Sequence, residues 1–339
     1  MSLREPWIAI RLVAALTAAS LFVHAAWIGT KILRFERVGS TSEGQLALER
    51  QAELGAATAR VGAVIQVLGL LLSVLAADRL TVTIRGAMCG YGVVHANAAG
   101  PWSIALTCAA AVAAGVLLQL LKLDDALRKP FLRRPIAIAS MVVALVSLTD
   151  FRFVWSWLGE LDLSVVASCC SSGADAGATT ASGFASGPRV PMTIASLVAV
   201  PAAIVTAFLA RRSRSRSLAL SSGFLSVAAL PLALETVVLE VAPHVYEVPH
   251  HRCAYCLFRH DAWFIGYPLF GAIFLAVVWA VGAAMSAWLT PRDEVSNDAF
   301  VTFAPPVLGR EALAWMVALL LAAIPIVRFA IVAPGASLF

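Results

Sequence analysis

Charged side chains are scarce in this sequence. Asp, Glu, Lys and Arg make up 13% of its 339 residues, whereas 60% are hydrophobic. Because soluble globular domains carry about 25% charged residues, this composition excludes a protein whose whole surface faces water. The apolar residues stand in unbroken runs rather than alternating with polar ones, which is typical of membrane-spanning helices and not of barrel strands.

Several signatures of known chemistry are missing as well. The sequence contains no Walker loop, no dinucleotide-binding fingerprint and no His-Glu-x-x-His zinc-protease motif. Covalent haem attachment requires His directly after the second cysteine of a Cys-x-x-Cys motif, and Leu257 occupies that position here. We therefore expect no nucleotide hydrolysis, and covalent haem attachment is excluded at this position.

Eight hydrophobic segments are long enough to cross a bilayer, whose hydrocarbon core takes about 20 helical residues. We predict spans near residues 7–30, 57–77, 101–121, 135–157, 190–210, 217–241, 263–289 and 311–333. Most of them begin beside Pro or Trp, which suits a first-turn proline and an interfacial aromatic anchor. The predicted fold is an all-α polytopic bundle of about eight transmembrane helices, a single domain over residues 1–339. We expect it to contact membrane lipid and no nucleic acid.

Lys and Arg are distributed unevenly between the connections, and cytoplasmic connections retain them. Sixteen lie in the odd-numbered connections, and six lie in the even-numbered connections and the N-terminal tail. This asymmetry predicts both termini on the outer, periplasmic side of a bacterial-type inner membrane. An alternative stays open, because Arg4 ahead of an apolar run and small residues at Ala25 and Ala26 are also typical of a signal peptide. Its cleavage would invert everything that follows.

Three connections differ from the spans in composition. Residues 34–56 intersperse Glu and Arg, which predicts a cytoplasmic connector with a short solvated or interfacial helix. Residues 159–189 form an outer loop whose stretch 171–188 is rich in Gly and Ser, so we expect a flexible tether. Residues 243–262 form a second outer loop, in which Cys and His are concentrated.

Five of the six cysteines fall into three clusters in the outward connections: Cys89, the vicinal pair Cys169 and Cys170, and Cys253-x-x-Cys256. Two residues between cysteines let both sulfurs reach one partner, which is another sulfur, a substrate or a metal ion. Arg and His beside the last pair predict a lowered thiol pKa, because positive charge favours the thiolate. Five outward thiols are an odd number, so at least one stays unpaired or bonds elsewhere.

The other two cysteine clusters have local features of their own. The vicinal pair can bond internally only through a strained ring, and strained disulfides exchange easily. Cys89 lies among Gly86, Gly90 and Gly92, which predicts tight backbone turns and a close approach to a bulky group.

Charged residues interrupt the predicted spans at Asp150, Arg152, Glu235 and Arg328, and Arg11, Glu240 and His24 lie nearer the outer boundary. A charge at the centre of a span costs about 2.5–3.5 kcal/mol on insertion scales, so these residues are candidates for function. Asp150 and Arg152 stand two residues apart and do not face each other on a helix, which favours cross-helix pairs such as Glu235 with Arg328. Structural ion pairs and a proton-linked or quinone-linked role both stay open.

Three functions compete on this basis. In the first, a thiol-disulfide oxidoreductase relays electrons between a periplasmic thiol protein and a quinone. Its catalytic cysteines are Cys89, Cys169, Cys170, Cys253 and Cys256. A Cys-x-x-Cys at the membrane edge with cysteines on a flexible outer loop is similar to the arrangement in disulfide-generating membrane enzymes, a likeness of function and not of family.

In the second function, thiolates and imidazoles bind or transport a soft metal ion, which is copper, zinc or mercury. The candidate ligands are His250, His251, Cys253, Cys256 and His260. The vicinal cysteines resemble those of mercury transporters, and Met-Cys-Gly is similar to a motif of copper-handling proteins. In the third function, disulfides merely staple the outer loops of a structural subunit or transporter.

Overall fold

The computed structural model describes residues 5–35, 42–127, 132–163, 188–249, 251–334 and 338. Within these ranges the chain is predominantly helical and contains no β-strand. Eight of the described helices are long and apolar enough to cross a membrane. The structure therefore fits the predicted all-α, multi-pass membrane protein.

We number these long helices α1 to α8 in chain order. They are α1 (Pro6–Phe35), α2 (Glu43–Arg79), α3 (Ala99–Ala126), α4 (Arg133–Val154), α5 (Arg189–Ser213), α6 (Arg216–Thr236), α7 (Gly266–Leu289) and α8 (Glu294–Val332). Three of them continue into turns of different pitch. These are the 3₁₀ turn Leu80–Val82 after α2, the π-helical turn Trp155–Gly159 after α4, and the π-helical turn Val237–Val241 after α6, which leads into the short helix Ala242–Tyr246. A further short helix, Gly90–Val94, lies between α2 and α3.

Each predicted span falls on one of these helices, but two helices extend well beyond the apolar runs. α2 begins at Glu43, so the polar residues 43–56 belong to the same helix as the span that follows. The last helix also begins before the predicted span, because α8 starts at Glu294, ahead of residue 311, and contains Pro305 and Pro306 in its interior. A helix can continue past polar residues and prolines when it packs against other helices, because most helical stability in proteins comes from tertiary packing.

The described chain divides into two compact units. The first unit comprises Met1–Ala76, Val94–Leu163 and Trp288–Phe303, and contains α1, α3, α4 and most of α2. The second unit comprises Ala77–Val93, Ser164–Ala287 and Ala304–Phe339, and contains α5, α6 and most of α7 and α8. The single domain expected over residues 1–339 stays a prediction.

Small residues allow the helices of the first unit to approach closely. An added Cβ on Gly29 of α1 would lie 3.1 Å from the carbonyl oxygen of Ala137 on α4. An added Cβ on Gly62 of α2 would lie 3.4 Å from the ring of Phe22 on α1. Such contacts are typical of membrane helices, because lipid provides no hydrophobic force between helices and close packing must replace it.

A buried polar network joins all four helices of the first unit. Asp150 of α4 is 0% exposed, and its carboxylate accepts hydrogen bonds from Thr107 of α3 at 2.5 Å and Gln66 of α2 at 2.9 Å. Arg11 of α1 has its guanidinium 3.4 Å from the same carboxylate and donates to Ser73 and Thr107 at 2.6 and 2.9 Å. Asp150 thus pairs across helices, as the spacing argument favoured, and its partner is Arg11.

In the second unit, α5 and α6 are joined by a tight connection. Arg214 adopts a left-handed φ of 53°, and the Ser215 hydroxyl caps α6 by accepting a hydrogen bond from the Leu218 amide. Gly223 of α6 then packs against α7, where an added Cβ would lie 2.5 Å from the Ala284 Cβ. At the other end of the helix pair, Arg189 donates to both carboxylate oxygens of Glu240, each at 2.8 Å.

Candidate functional site

Two segments that are far apart in the sequence converge within the second unit. Cys89 immediately precedes the short helix Gly90–Val94, whereas Cys253 and Cys256 lie between Tyr246 and α7. Cys253 immediately precedes the 3₁₀ turn Ala254–Phe258 in an extended conformation, and Cys256 lies inside that turn. The tight turn brings the chain back on itself, so that the two sulfurs lie within 4.8 Å of each other.

Glycine allows the first segment to approach the second. An added Cβ on Gly90 would lie 3.2 Å from the Tyr255 ring and 3.3 Å from the Ala77 Cβ, so a larger residue there would press the two segments apart. Gly86 has a φ of 79°, in the left-handed region that favours glycine. The structure thus contains the tight turn and the close approach that the glycines predicted, and the bulky group is the Tyr255 ring.

The sulfur atoms of Cys89, Cys253 and Cys256 form a buried group, which we call the thiol cluster. All three lie within 4.8 Å of one another, and the sulfurs of Cys89 and Cys253 are 3.5 Å apart. The three cysteines have exposed fractions of 2%, 1% and 8%. Three sulfurs bound to one metal ion at about 2.3 Å stand about 3.8–4.0 Å apart, so the thiol cluster needs a shift of less than about 1 Å to hold an ion.

Three tyrosine rings pack against the thiol cluster: Tyr91, Tyr246 and Tyr255. The Tyr246 hydroxyl donates a hydrogen bond of 2.9 Å to the Cys256 carbonyl oxygen and thereby holds the 3₁₀ turn. Tyr91 and Tyr255 meet edge to face with ring centres 6.5 Å apart. We call these three rings the tyrosine shell, and together with burial they keep water away from the sulfurs.

The positively charged residues near the thiol cluster were predicted to lower the thiol pKa, and the structure gives a different result for Cys256. Arg259 donates a hydrogen bond to the Met88 carbonyl oxygen and lies 3.5 Å from the Asp261 carboxylate, so its guanidinium is engaged by two oxygen atoms. Hydrogen bonds with the thiols of Cys253 and Cys89, followed by burial, raise the pKa of Cys256. The predicted lowering of the thiol pKa is therefore wrong for Cys256. A thiolate there would lie beside two other sulfurs in a place with little water.

The predicted histidine ligands are placed unequally. His251 stacks on Tyr246 with ring centres 4.1 Å apart, and burial lowers the pKa of its imidazole. Its Nε2 atom is buried and has no hydrogen-bond partner within the described residues. His260 is exposed, and His250 lies outside the described residues.

The other candidate cysteines do not join the thiol cluster in the described part of the chain. Cys169 and Cys170 lie outside the described residues, and so does most of the predicted flexible loop 159–189. Their part in any exchange reaction stays a prediction. Cys108 is a partly buried free thiol on α3 of the first unit.

The charged residues predicted inside spans have different surroundings. Arg152 is exposed on α4. Arg328 lies 4.0 Å from the Glu247 carboxylate, with its guanidinium 4.8 Å from the centre of the Trp263 ring. Glu235 is partly buried on α6, and its suggested pairing with Arg328 stays a prediction.

Sequence reasoning missed two groups in the second unit. One is the tyrosine shell, for which a signal existed, because three of the four tyrosines in the chain belong to it. The other is Glu311 of α8, which is 0% exposed. It is the first residue of the last predicted span, and it is absent from the charged residues that the sequence singled out inside spans.

No known protein family, curated protein or solved structure matches this chain. What the thiol cluster does must therefore follow from its own chemistry.

Proposed function

We propose that the thiol cluster binds one soft metal ion, and that monovalent copper is the ion it fits best. The observation that carries this proposal is the meeting of three buried thiols from two distant segments, within 4.8 Å of one another. Thiolate ligands favour soft ions such as Cu(I) and Zn(II) over hard oxygen-loving ions. The protein would then be a membrane protein that captures a thiophilic metal.

The number of ligands favours copper over zinc. Zinc in structural protein sites is almost always held by four ligands, whereas Cu(I) is satisfied by two or three sulfurs. Among the described residues, the candidate for a fourth zinc ligand is His251, whose buried Nε2 lacks a hydrogen-bond partner there. No His251 nitrogen belongs to the group of ligand atoms within 4.8 Å of one another. Zinc would therefore require the His251 segment to move, whereas copper requires only that the sulfurs close in.

Burial favours a metal ion over direct exchange with a partner protein. Thiol-disulfide exchange needs a thiolate of one protein to reach a sulfur of the other. Here the most exposed of the three cysteines, Cys256, is only 8% exposed, and the tyrosine shell packs against the cluster. A single ion passes through a smaller opening than a protein thiol does.

Copper retention tests the proposal directly. The full-length protein is purified in detergent without oxygen, reduced, loaded with Cu(I) and dialysed against chelators of increasing strength. We expect one copper ion per chain in the wild type. Cys89→Ser should weaken binding by more than about 100-fold, because even residues that only support metal ligands contribute 10- to 100-fold.

Cys108→Ser is the matched control, since it removes a free thiol of the first unit and should leave copper binding unchanged. Helix content by circular dichroism shows that each variant is folded. Equal copper retention by the wild type and by Cys89→Ser would refute the metal site. Retention of zinc in preference to copper, lost on changing His251 to Ala, would assign the site to a four-ligand ion instead.

Thiol-disulfide exchange is a second candidate, and one contact favours it. The sulfurs of Cys89 and Cys253 are 3.5 Å apart, and a closure of about 1.5 Å would bring them to the disulfide length of about 2.05 Å. Oxidation of these two thiols releases two electrons and two protons, which a quinone takes up to become a quinol. Cys256 then remains as a thiol next to the new disulfide.

Thiol trapping separates this candidate from metal binding. Membranes are quenched in acid, and alkylation before and after reduction shows which cysteines are paired. A bond between Cys89 and Cys253 whose occupancy follows the reduction of the quinone pool would favour exchange, and a mixed disulfide through Cys169 or Cys170 would identify the relay. A Cys253–Cys256 bond that persists under reductant would favour stapled loops.

We also propose that both termini lie on the outer side of a bacterial-type inner membrane. If all eight helices cross, the two segments that carry the thiol cluster are both even-numbered connections and lie on one side. The excess of Lys and Arg in the odd-numbered connections favours placing those inside. A reporter that is active only outside the cytoplasm, fused after residue 339, should be active; activity of a cytoplasmic reporter there would invert the topology.

A further inference from the structure

A buried carboxyl group in the second unit has no cationic partner within the described residues. Glu311 of α8 is 0% exposed and lies against α6. Its Oε1 atom accepts hydrogen bonds from the hydroxyls of Ser222 at 2.6 Å and Ser226 at 2.9 Å. The Trp315 indole in turn donates to the Ser226 hydroxyl at 3.0 Å, which fixes the orientation of that serine.

The two oxygens of this carboxyl group have different surroundings. Both serine hydroxyls bond to Oε1, whereas Oε2 is buried without a hydrogen-bond partner in the described part of the chain. A neutral carboxylic acid has this asymmetry, since one oxygen accepts hydrogen bonds and the other carries the proton. A carboxylate is an acceptor at both oxygens, and a charge buried without donors is costly.

Two arginines lie close to this part of α8. Arg211 of α5 reaches α8 beside Gly309, where an added Cβ would lie 2.8 Å from its guanidinium. Both Arg211 and Arg310 are exposed. α6 offers Glu311 the two serines, and α7 contains one ionisable residue, Tyr267, close to its first turn.

We propose that Glu311 is a proton-binding site, in which Oε2 takes up a proton and releases it again. The carboxyl group then alternates between a neutral and a singly charged form. The bond between Oε2 and the proton is the one bond that forms and breaks. Ser222 and Ser226 hold Oε1 in both forms, so the proton is exchanged at the opposite oxygen. This site does not depend on the thiol cluster, and each proposal can fail without the other.

Carbodiimide labelling tests the site in the full-length protein. The chain is reconstituted in lipid vesicles and treated with dicyclohexylcarbodiimide, an apolar reagent that modifies protonated carboxyl groups, and the modified peptides are mapped by mass spectrometry. We expect Glu311 to be modified at mildly acidic pH. Above the midpoint, modification should fall about tenfold for each pH unit, as the protonated fraction does.

Glu240 is the internal control, because it is also buried but its two oxygens each accept a hydrogen bond from Arg189 at 2.8 Å. It should remain unmodified, and Glu311→Gln should lose the label. The wild-type chain alone decides the question if that variant does not fold.

Two results would overturn the proposal. The first is the absence of a pH-dependent modification: Glu311 stays unmodified at every pH although it is modified in the denatured chain, or it is modified to the same extent at every pH. The second is protection by sodium at constant pH, which would assign the carboxyl group to a metal cation rather than to a proton.

Discussion

The Arg11–Asp150 pair gives the sharpest test of how the first unit is held together. Asp150→Leu leaves the Arg11 guanidinium, 1% exposed, without its anionic partner. Removing one partner of a buried ion pair costs about 3–5 kcal/mol. We expect a loss near the upper end of this range, because Thr107 and Gln66 lose their acceptor in the same step.

The double variant Arg11→Met with Asp150→Leu should recover much of that loss. Replacing both residues of a buried ion pair by apolar residues often leaves the free energy of unfolding unchanged or raises it, whereas removing one residue leaves the other charge buried without a partner. The two substitutions should therefore be coupled by at least about 2 kcal/mol, within the range seen for residues in one network. Unfolding in mixed micelles with increasing sodium dodecyl sulfate, followed by circular dichroism, measures each free energy.

Arg152→Gln is the matched control on the same helix, because Arg152 is exposed and its loss should change stability by less than about 0.5 kcal/mol. If Asp150→Leu alone changes the free energy of unfolding no more than this control does, the buried pair is not what joins the helices. A double variant as unstable as the sum of the two single variants would refute the argument from a stranded charge.

Three further predictions concern the second unit. Gly223→Val should lower the free energy of unfolding by about 1–3 kcal/mol in the same assay, because the Cβ of the new side chain would lie 2.5 Å from the Ala284 Cβ. Gly271→Ala is the control and should cost much less, because an added Cβ on Gly271 meets no atom within 4 Å. Tyr246→Phe should remove about 1 kcal/mol of support from the Cys256 turn and weaken copper binding without changing the number of ions bound, as chelator competition would show. Copper at 100 times its dissociation constant should stabilise the wild type by about 2.7 kcal/mol and should leave a variant without the thiol cluster unchanged.

The eight helices were predictable because hydrophobic runs of this length have few alternatives in a bilayer. Their ends were less predictable. α8 continues through Pro305 and Pro306, and Glu311 looks like a boundary in the sequence although serine hydroxyls from α6 accommodate it inside the unit. A residue's local chemistry shows where a span would be costly, but the partners that offset the cost come from other parts of the chain.

The candidate site could likewise be predicted only in part. The spacing of Cys253 and Cys256 indicated that two sulfurs act together, and the glycines around Cys89 indicated a close approach. That these sulfurs form one cluster, and that Tyr246 and Tyr255 pack against it, could not be inferred because the spacing of residues along the chain does not show which connections meet.

Composition and the length of the apolar runs by themselves indicated a helical membrane protein. Both are properties of each segment alone, and every segment meets the same hydrocarbon thickness in a bilayer. Only the tertiary structure decided that Cys89 joins Cys253 and Cys256, that Asp150 pairs with Arg11, and that Glu311 is buried. Each of these depends on residues far apart in the chain, whose distances are set by helix packing and not by spacing along the sequence.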